Sequence, residues 1–258
     1  MARPTRITPI PTRTGSGATT VAVLAIVRVA GGGHAIAELR RGARLAPRIL
    51  DRGAGAVRAA FVPTQAGPLA GDRDSARIVV GPGATLVVEP VAATLALPGA
   101  ARTVLALDVT VCEGGRLVLD EGPLIVAAGA DVDRRCVIEL EAGAVAALRE
   151  TVVLGREGEP PGALDSVTRV TLAGVALLHD GLRFGAIDAP HVALAPGHRV
   201  VAGAGLFGMR PAAAVAGALE LEGAGALLRA TGASTASTDA ALAAGWQAWA
   251  RAALVRGA

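Results

Sequence analysis

Four glycines, Gly55, Gly83, Gly114 and Gly143, lie about thirty residues apart, each in a glycine pair or Gly-Ala step that opens an apolar run. The stretches are "DRGAGAVRAAFVP" (51–63), "IVVGPGATLVVEP" (78–90), "VCEGGRLVLDEGP" (111–123) and "ELEAGAVAALRET" (139–151), with a weaker echo in "LEGAGALLRATG" (221–232). Tight turns demand positive φ, which glycine adopts without steric penalty. Each repeat therefore predicts a glycine-centred turn feeding a strand, a scaffold element and not a site. A thirty-residue period accommodates two or three short strands per unit, stacked on the next. Ordinary hairpin turns in a β-sandwich account for it equally well.

The runs between the glycines alternate with period two, as half-buried strands do. In "RTVLALDVTV" (102–111), Leu105, Leu107, Val109 and Val111 share one face. "EGGR" (113–116) reads as a turn and "LVLD" (117–120) as the returning strand of a hairpin. Cys136, Ile138 and Leu140 point inward in "CVIELE", with Glu139 and Glu141 in water. "DSARIVV" (74–80) and "DSVTRVTL" (165–172) are further strands, and "GREGEPPGAL" (155–164) is a surface loop. With 52% apolar residues, 2% aromatics and no tyrosine, the core must be built from Val, Leu, Ile and Ala, which suits strands.

Only the C-terminus has helical spacing. In "STDAALAAGWQAWARAALVRG" (237–257), Leu242, Trp246, Trp249 and Ala253 form one stripe, with Ser237 or Thr238 as N-cap. The two tryptophans are core anchors by default and a docking face if exposed. The expected fold is mainly β, a stacked-sheet or β-helix-like scaffold with a C-terminal α-helix at about 238–255. It forms one domain over 19–258 behind a flexible basic tail at 1–18.

Charge is uneven. Residues 1–60 hold ten Arg and two acids, and residues 108–165 hold twelve acids and five Arg. A basic end and an acidic middle suit protein partners or cation handling. Nucleic-acid binding is not expected without aromatic platforms or a recognisable module. "VAVLAIV" (21–27) is far short of the ~18 apolar residues that span a bilayer and reads as a first strand. Cys112 and Cys136 form no CxxC pair and read as two free thiols in a reducing compartment.

No catalytic signature stands out. "GAGLFG" (203–208) matches a dinucleotide motif by letters but lacks a βαβ context. His34, His179, His191 and His198 have no ligand-spaced partner. The carboxylates at strand ends, in "GDRD" (71–74), "DEG" (120–122) and around Glu150, either cap turns and pair with Arg73, Arg149 or Arg156, or offer weak contact to a metal. A hydrolase or lyase on such a scaffold would use Glu150 or Asp120 as general acid/base with His179 nearby. A plain interaction protein with no metal role is the third reading.

The order of these stretches resembles the UreD (UreH) family of urease accessory proteins. "GPLAGDRDSARIVVGPGATLVVEPVAAT" (67–94) is similar to the family's Gly-Asp segment with its two strands around Gly-x-Gly-Ala. "LDEGPLIVAAGA" (119–130) is similar to its acidic-Pro segment, and "LEAGAVAALRETVVLGREGE" (140–159) to its Gly-Ala strand, Glu and Leu-Gly-Arg loop. The chain departs from the pattern by Gly122 between Glu121 and Pro123, by a segment 88–99 without Gln or Lys, and by a short C-terminal region.

The resemblance implies a cytoplasmic, non-enzymatic scaffold. It implies binding to UreF, to the GTPase UreG through UreF, and to apo-urease, with GTP handled only by the partner. Nickel (Ni2+) is then in transit through an internal tunnel, and no cofactor is tightly bound. By position, Asp72 matches the Gly-Asp acid, Glu150 the acid before Leu-Gly-Arg, and Arg156 that arginine. Asp72 and Glu150 are thus candidates for the nickel path. Arg156, Trp246 and Trp249, with the basic N-terminal segment, are candidates for partner contact.

Overall fold

Sixteen strands and one helix are formed among residues 20–53, 55–185 and 197–255, which a computed structural model describes. The expected tail at 1–18 and His191 lie outside these residues. The strands are β1 (Ala22–Arg28), β2 (His34–Arg40), β3 (Leu45–Arg52), β4 (Val57–Pro63), β5 (Arg73–Val80), β6 (Thr85–Val88), β7 (Thr94–Ala96) and β8 (Thr103–Val111). They continue with β9 (Arg116–Val126), β10 (Asp131–Leu140), β11 (Val145–Leu154), β12 (Ala163–Leu172), β13 (Val175–Phe184), β14 (Val200–Phe207), β15 (Leu219–Glu220) and β16 (Gly225–Gly232). The helix α1 is Thr235–Leu254.

Two sheets face each other. The first has seven strands in the order β13-β12-β10-β8-β5-β1-β2. The second has nine, in the order β15-β16-β14-β11-β9-β6-β4-β3, with β7 beside β9. The middle of each is parallel: β1, β5, β8, β10 and β12 in the first, β4, β6, β9 and β11 in the second.

The glycine repeat explains this layout and corrects one expectation. Residues 102–120 are not a hairpin, because β8 and β9 belong to different sheets. The segment 112–115 is an arch that carries the chain across, as 81–84 does between β5 and β6 and 141–144 between β10 and β11. Gly83, Gly114 and Gly143 hold equivalent places in the arches, with φ of +59°, +61° and +68°. The arches stack: the Gly83 N–H donates to the Glu113 carbonyl at 2.9 Å and the Gly114 N–H to the Ala142 carbonyl at 3.2 Å. Stacking each strand on its counterpart one coil later gives it partners on both sides and brings two apolar faces together, which an isolated hairpin cannot do. The thirty-residue period is therefore a solenoid coil. Gly55 is the exception, joining the antiparallel pair β3–β4 without a positive φ. The echo at 221–232 also ends in an antiparallel partner, β16 against β14.

Side chains sort by parity. Leu117, Leu119, Ala146, Leu148, Ile138 and Leu140 fill the space between the sheets. Val118, Val145 and Ala147 face the other way, against Leu242, Trp249 and Ala253 of α1. Each fully buried Leu or Ile contributes about 1.5–3 kcal/mol. The helix begins earlier than expected, and its N-cap is Ser234, not Ser237 or Thr238. Ser234 Oγ accepts from the Ser237 N–H at 3.2 Å, and Ser237 Oγ accepts from the Ser234 N–H at 3.4 Å, a reciprocal cap.

One irregularity interrupts the stacking of β11 on β9. Along these strands, Asp120 lies opposite Arg149 and Pro123 opposite Thr151, so Glu121 and Gly122 together oppose Glu150. This is a β-bulge, and Gly122 takes φ +72° in it. A Cβ there would sit 2.7 Å from Cβ of Pro90. The residue inserted into the acidic-Pro segment is thus the one the bulge requires. Gly122→Ala is expected to cost about 2–4 kcal/mol, from the left-handed backbone and the clash together. Gly114→Ala, with nothing within 4 Å of the added atom, is expected to cost only about 1–2 kcal/mol. Urea denaturation of the two variants checks the ordering.

Candidate functional site

Beyond the bulge the sheets cease to fill the space between them. A cavity of about 180 Å³ remains, lined by Asp74, Ala76, Leu105, Leu107 and Arg134 of the first sheet and Leu119, Glu121, Gly122, Glu150 and Val152 of the second. That is room for several waters. Its rim carries Gln65, Gly67 and Pro68 on one side and Val91 and Ala92 on the other. Five carboxylates (Asp74, Glu89, Asp120, Glu121, Glu150) and three guanidinium groups (Arg44, Arg134, Arg135) line it, so its field favours cations.

At its inner end stands Arg134, only 7% exposed. Its Nη2 meets Glu121 Oε1 at 2.6 Å and Glu150 Oε2 at 3.1 Å. Its Nη1 donates to Ser166 Oγ at 3.0 Å and Thr168 Oγ1 at 3.3 Å, and the Thr168 hydroxyl donates to Glu150 Oε2 at 3.1 Å. Burial disfavours the charged guanidinium, but the carboxylates of Glu121 and Glu150 outweigh it and hold Arg134 above its ordinary value. The adjacent inward residue, Cys136, has its thiol pushed well up by burial and then by the Glu121 carboxylate. Such a thiol supplies little thiolate for metal binding or nucleophilic attack.

Asp72 lies one step outside. Its Oδ2 accepts from the Leu69 N–H at 2.6 Å and pairs with Arg44 Nη1 at 3.0 Å. Arg44 Nε reaches Asp74 Oδ1 at 3.1 Å, and Nη2 donates to the Ala66 carbonyl at 2.7 Å. Burial raises the Asp74 pKa, and Arg44 opposes the rise. Arg44 thus joins Asp72 to the cavity through Asp74. The partners of Asp72 and Glu150 are Arg44 and Arg134, not the arginines expected from sequence proximity, because the sheets bring distant segments together. Arg149 faces α1 instead, pairing with Asp239 and, at 3.6 Å, with Asp120.

The other nominated residues are dispersed. Arg156 is half exposed on the 155–162 loop and pairs with Glu159, whose carboxyl it holds down to about 2. Trp249 is 1% exposed and anchors α1 in the core, so it presents no free face; Trp246 is half-buried. His179 is exposed on edge strand β13, Glu150 points between the sheets, and Asp120 pairs towards the helix. The acid/base set imagined for a hydrolase or lyase does not converge. Among the described residues, no three His, Cys, Asp or Glu side chains form a metal-holding group.

Arg44 and Arg134 were not among the residues expected at the site, and Asp74 and Glu121 were expected only as members of the "GDRD" and "DEG" stretches. A signal existed for two of them. Arg134 shares parity with Cys136, Ile138 and Leu140, an inward phase already expected, and Glu121 shares parity with Leu117 and Leu119.

A family model described as UreD urease accessory protein matches residues 15–258. The chain is 39% identical over 194 residues to urease accessory protein UreD 1 of Streptomyces griseus, covering 73% of this chain and 75% of that one. It is 38% identical over 205 residues to a urease accessory protein UreD of Parafrankia, covering 70% and 68%. It is 48% identical over 113 residues to that of Frankia alni, covering 43% and 38%.

Two outcomes are expected from the geometry. Arg134→Met leaves two carboxylates facing each other without a counter-charge and is expected to cost about 3–5 kcal/mol, read from the denaturation midpoint. Adding Glu121→Gln and Glu150→Gln is expected to recover most of the loss. Asp120 has its pKa raised, chiefly by burial, against the Gly122 N–H and Arg149. A raised acid binds its proton more tightly folded than unfolded, so its contribution falls as pH rises from the ordinary 3.8 through the folded value. Asp120→Asn is expected to flatten the part of the Tm–pH curve that begins at the ordinary 3.8 and runs upward from it.

Proposed function

Because the chain belongs to the UreD family of urease accessory proteins, we propose that it is a non-catalytic scaffold in urease maturation, through whose interior nickel is handed toward apo-urease. The observation that carries this reading is a cavity with room for several waters between the sheets, on whose largely apolar walls carboxylates outnumber guanidinium groups. A divalent cation leaving water needs oxygen ligands to replace its shell. Glu121 and Glu150 are already engaged by Arg134, and Asp72 and Asp74 by Arg44. An ion therefore meets these carboxylates transiently and in company with water, contacts that release as readily as they form. Thiolates, which would hold Ni2+ more firmly, are suppressed at Cys136.

In this reading a UreF-like protein docks on the chain and brings the UreG GTPase, while apo-urease receives the metal, all in the cytoplasm. The half-exposed Trp246 and the Arg156 loop offer contact groups, and Trp249 supports the helix from beneath. Among the described residues, no helix is long and apolar enough to cross a membrane.

The test is co-expression with urease and its other accessory proteins. Glu150→Gln and Asp72→Asn variants are expected to retain capture of the UreF-like partner and to lower nickel per urease active site. Full nickel loading with both changes present removes these carboxylates from the path.

A further inference from the structure

The cavity stops at Arg134 and Glu150, but the polar character of the interior does not. In the second sheet Glu150 lies in register with Gly203 of β14, and Gly203 with Arg229 of β16. In the first sheet Cys136 lies in register with Thr168 of β12, and Thr168 with Asp180 of β13. Thr168 hydrogen-bonds Glu150 across the sandwich, and Asp180 pairs with Arg229 across it. The two rows are thus tied at Glu150 and again at Arg229. They lie between the main apolar cluster on the arch side, with Val170, Leu148 and Phe207, and the smaller cluster with Val152, Leu154, Leu164 and Val201.

Gly203 is the gap in this layer. A Cβ placed on it would have Glu150 Cγ and Oε1 and the Leu228 carbonyl as nearest neighbours, all at 3.7 Å. Glycine there is demanded neither by backbone conformation nor by a clash, so its missing side chain leaves space beside the Glu150 carboxylate. At the far end, Asp180 and Arg229 keep 21% and 23% of their side-chain surface exposed, so the layer reaches solvent at the β13–β16 edge.

We propose that this layer is a second, closed end of the nickel path, with the Asp180–Arg229 ion pair as its gate and Gly203 as the position that keeps the way from Glu150 open. The inference rests on the nickel-passage reading above. A divalent cation arriving from Glu150 competes with Arg229 for the Asp180 carboxylate, and the pair recloses once the ion has left. No bond other than the ion pair is made or broken.

The experiment measures nickel per urease active site in cells co-expressing the urease proteins with each variant of the full chain. Gly203→Ala fits without displacing a neighbour and Gly203→Val narrows the space further, so a fall graded with side-chain volume is expected. Asp180→Lys, on an exposed edge strand, sets two cations at the gate, and about a tenfold fall is expected. It keeps the test decisive if Gly203→Val does not fold. Glu150→Gln separates the two readings. If it impairs loading while Gly203→Ala and Asp180→Lys load normally, the second end is overturned and the passage stands. If all of these variants load normally, both fall together.

Discussion

A guanidinium enclosed between two β-sheets sets the terms for the rest of the interior. Removing three ions from water costs several kcal/mol each, and a well-packed apolar trio is often at least as stable. Stability alone gives no reason to retain Glu121, Arg134 and Glu150. Their geometry does satisfy the charge: two carboxylates and two hydroxyls surround Arg134, and Thr168 ties Glu150 into the same set. Having accepted a polar centre, the fold keeps space and hydrogen-bonding capacity around it.

The bulge and the arches divide the remaining work. Arches built on left-handed glycines send each coil from one sheet to the other, so inward parity is inherited from coil to coil. That regularity would close the sandwich completely. The extra residue at Gly122 breaks it once: Glu121 keeps the inward parity of Leu117 and Leu119, and beyond the shift it is Leu124 and Val126 that are buried. The cavity is therefore a local exception cut into a repeating scaffold, and its walls stay rigid because the neighbouring coils remain in register.

Where charge sits matters as much as how much there is. The N-terminal sixty residues carry the basic excess, and one of their arginines, Arg44, folds back to bind Asp72 and Asp74 at the rim. The entrance is thereby neutralised on one side while the walls stay acidic. On the outside of the second sheet, Arg149 links strand and helix through Asp239, fixing α1 over Val118 and Ala147 and leaving Trp246 partly uncovered. The helix thus covers the outer face of the sheet.

Much of the fold was legible in the residues. The period of the glycines, the alternation of Cys136, Ile138 and Leu140, and the helical stripe at Leu242, Trp249 and Ala253 are local patterns, and local sterics impose them wherever the chain goes. The family likeness was legible too, because its motifs are the arches and strand ends that build the scaffold. What tertiary structure alone decided is which strand stacks on which, and so which charges meet. Arg134 meets Glu121 and Glu150, and Arg44 meets Asp72 and Asp74, across separations that no spacing rule encodes. Turns and faces are set by neighbouring residues. Ion pairs and cavities are set by parallel stacking of coils some thirty residues apart, a long-range choice made by burying apolar area over the whole sandwich.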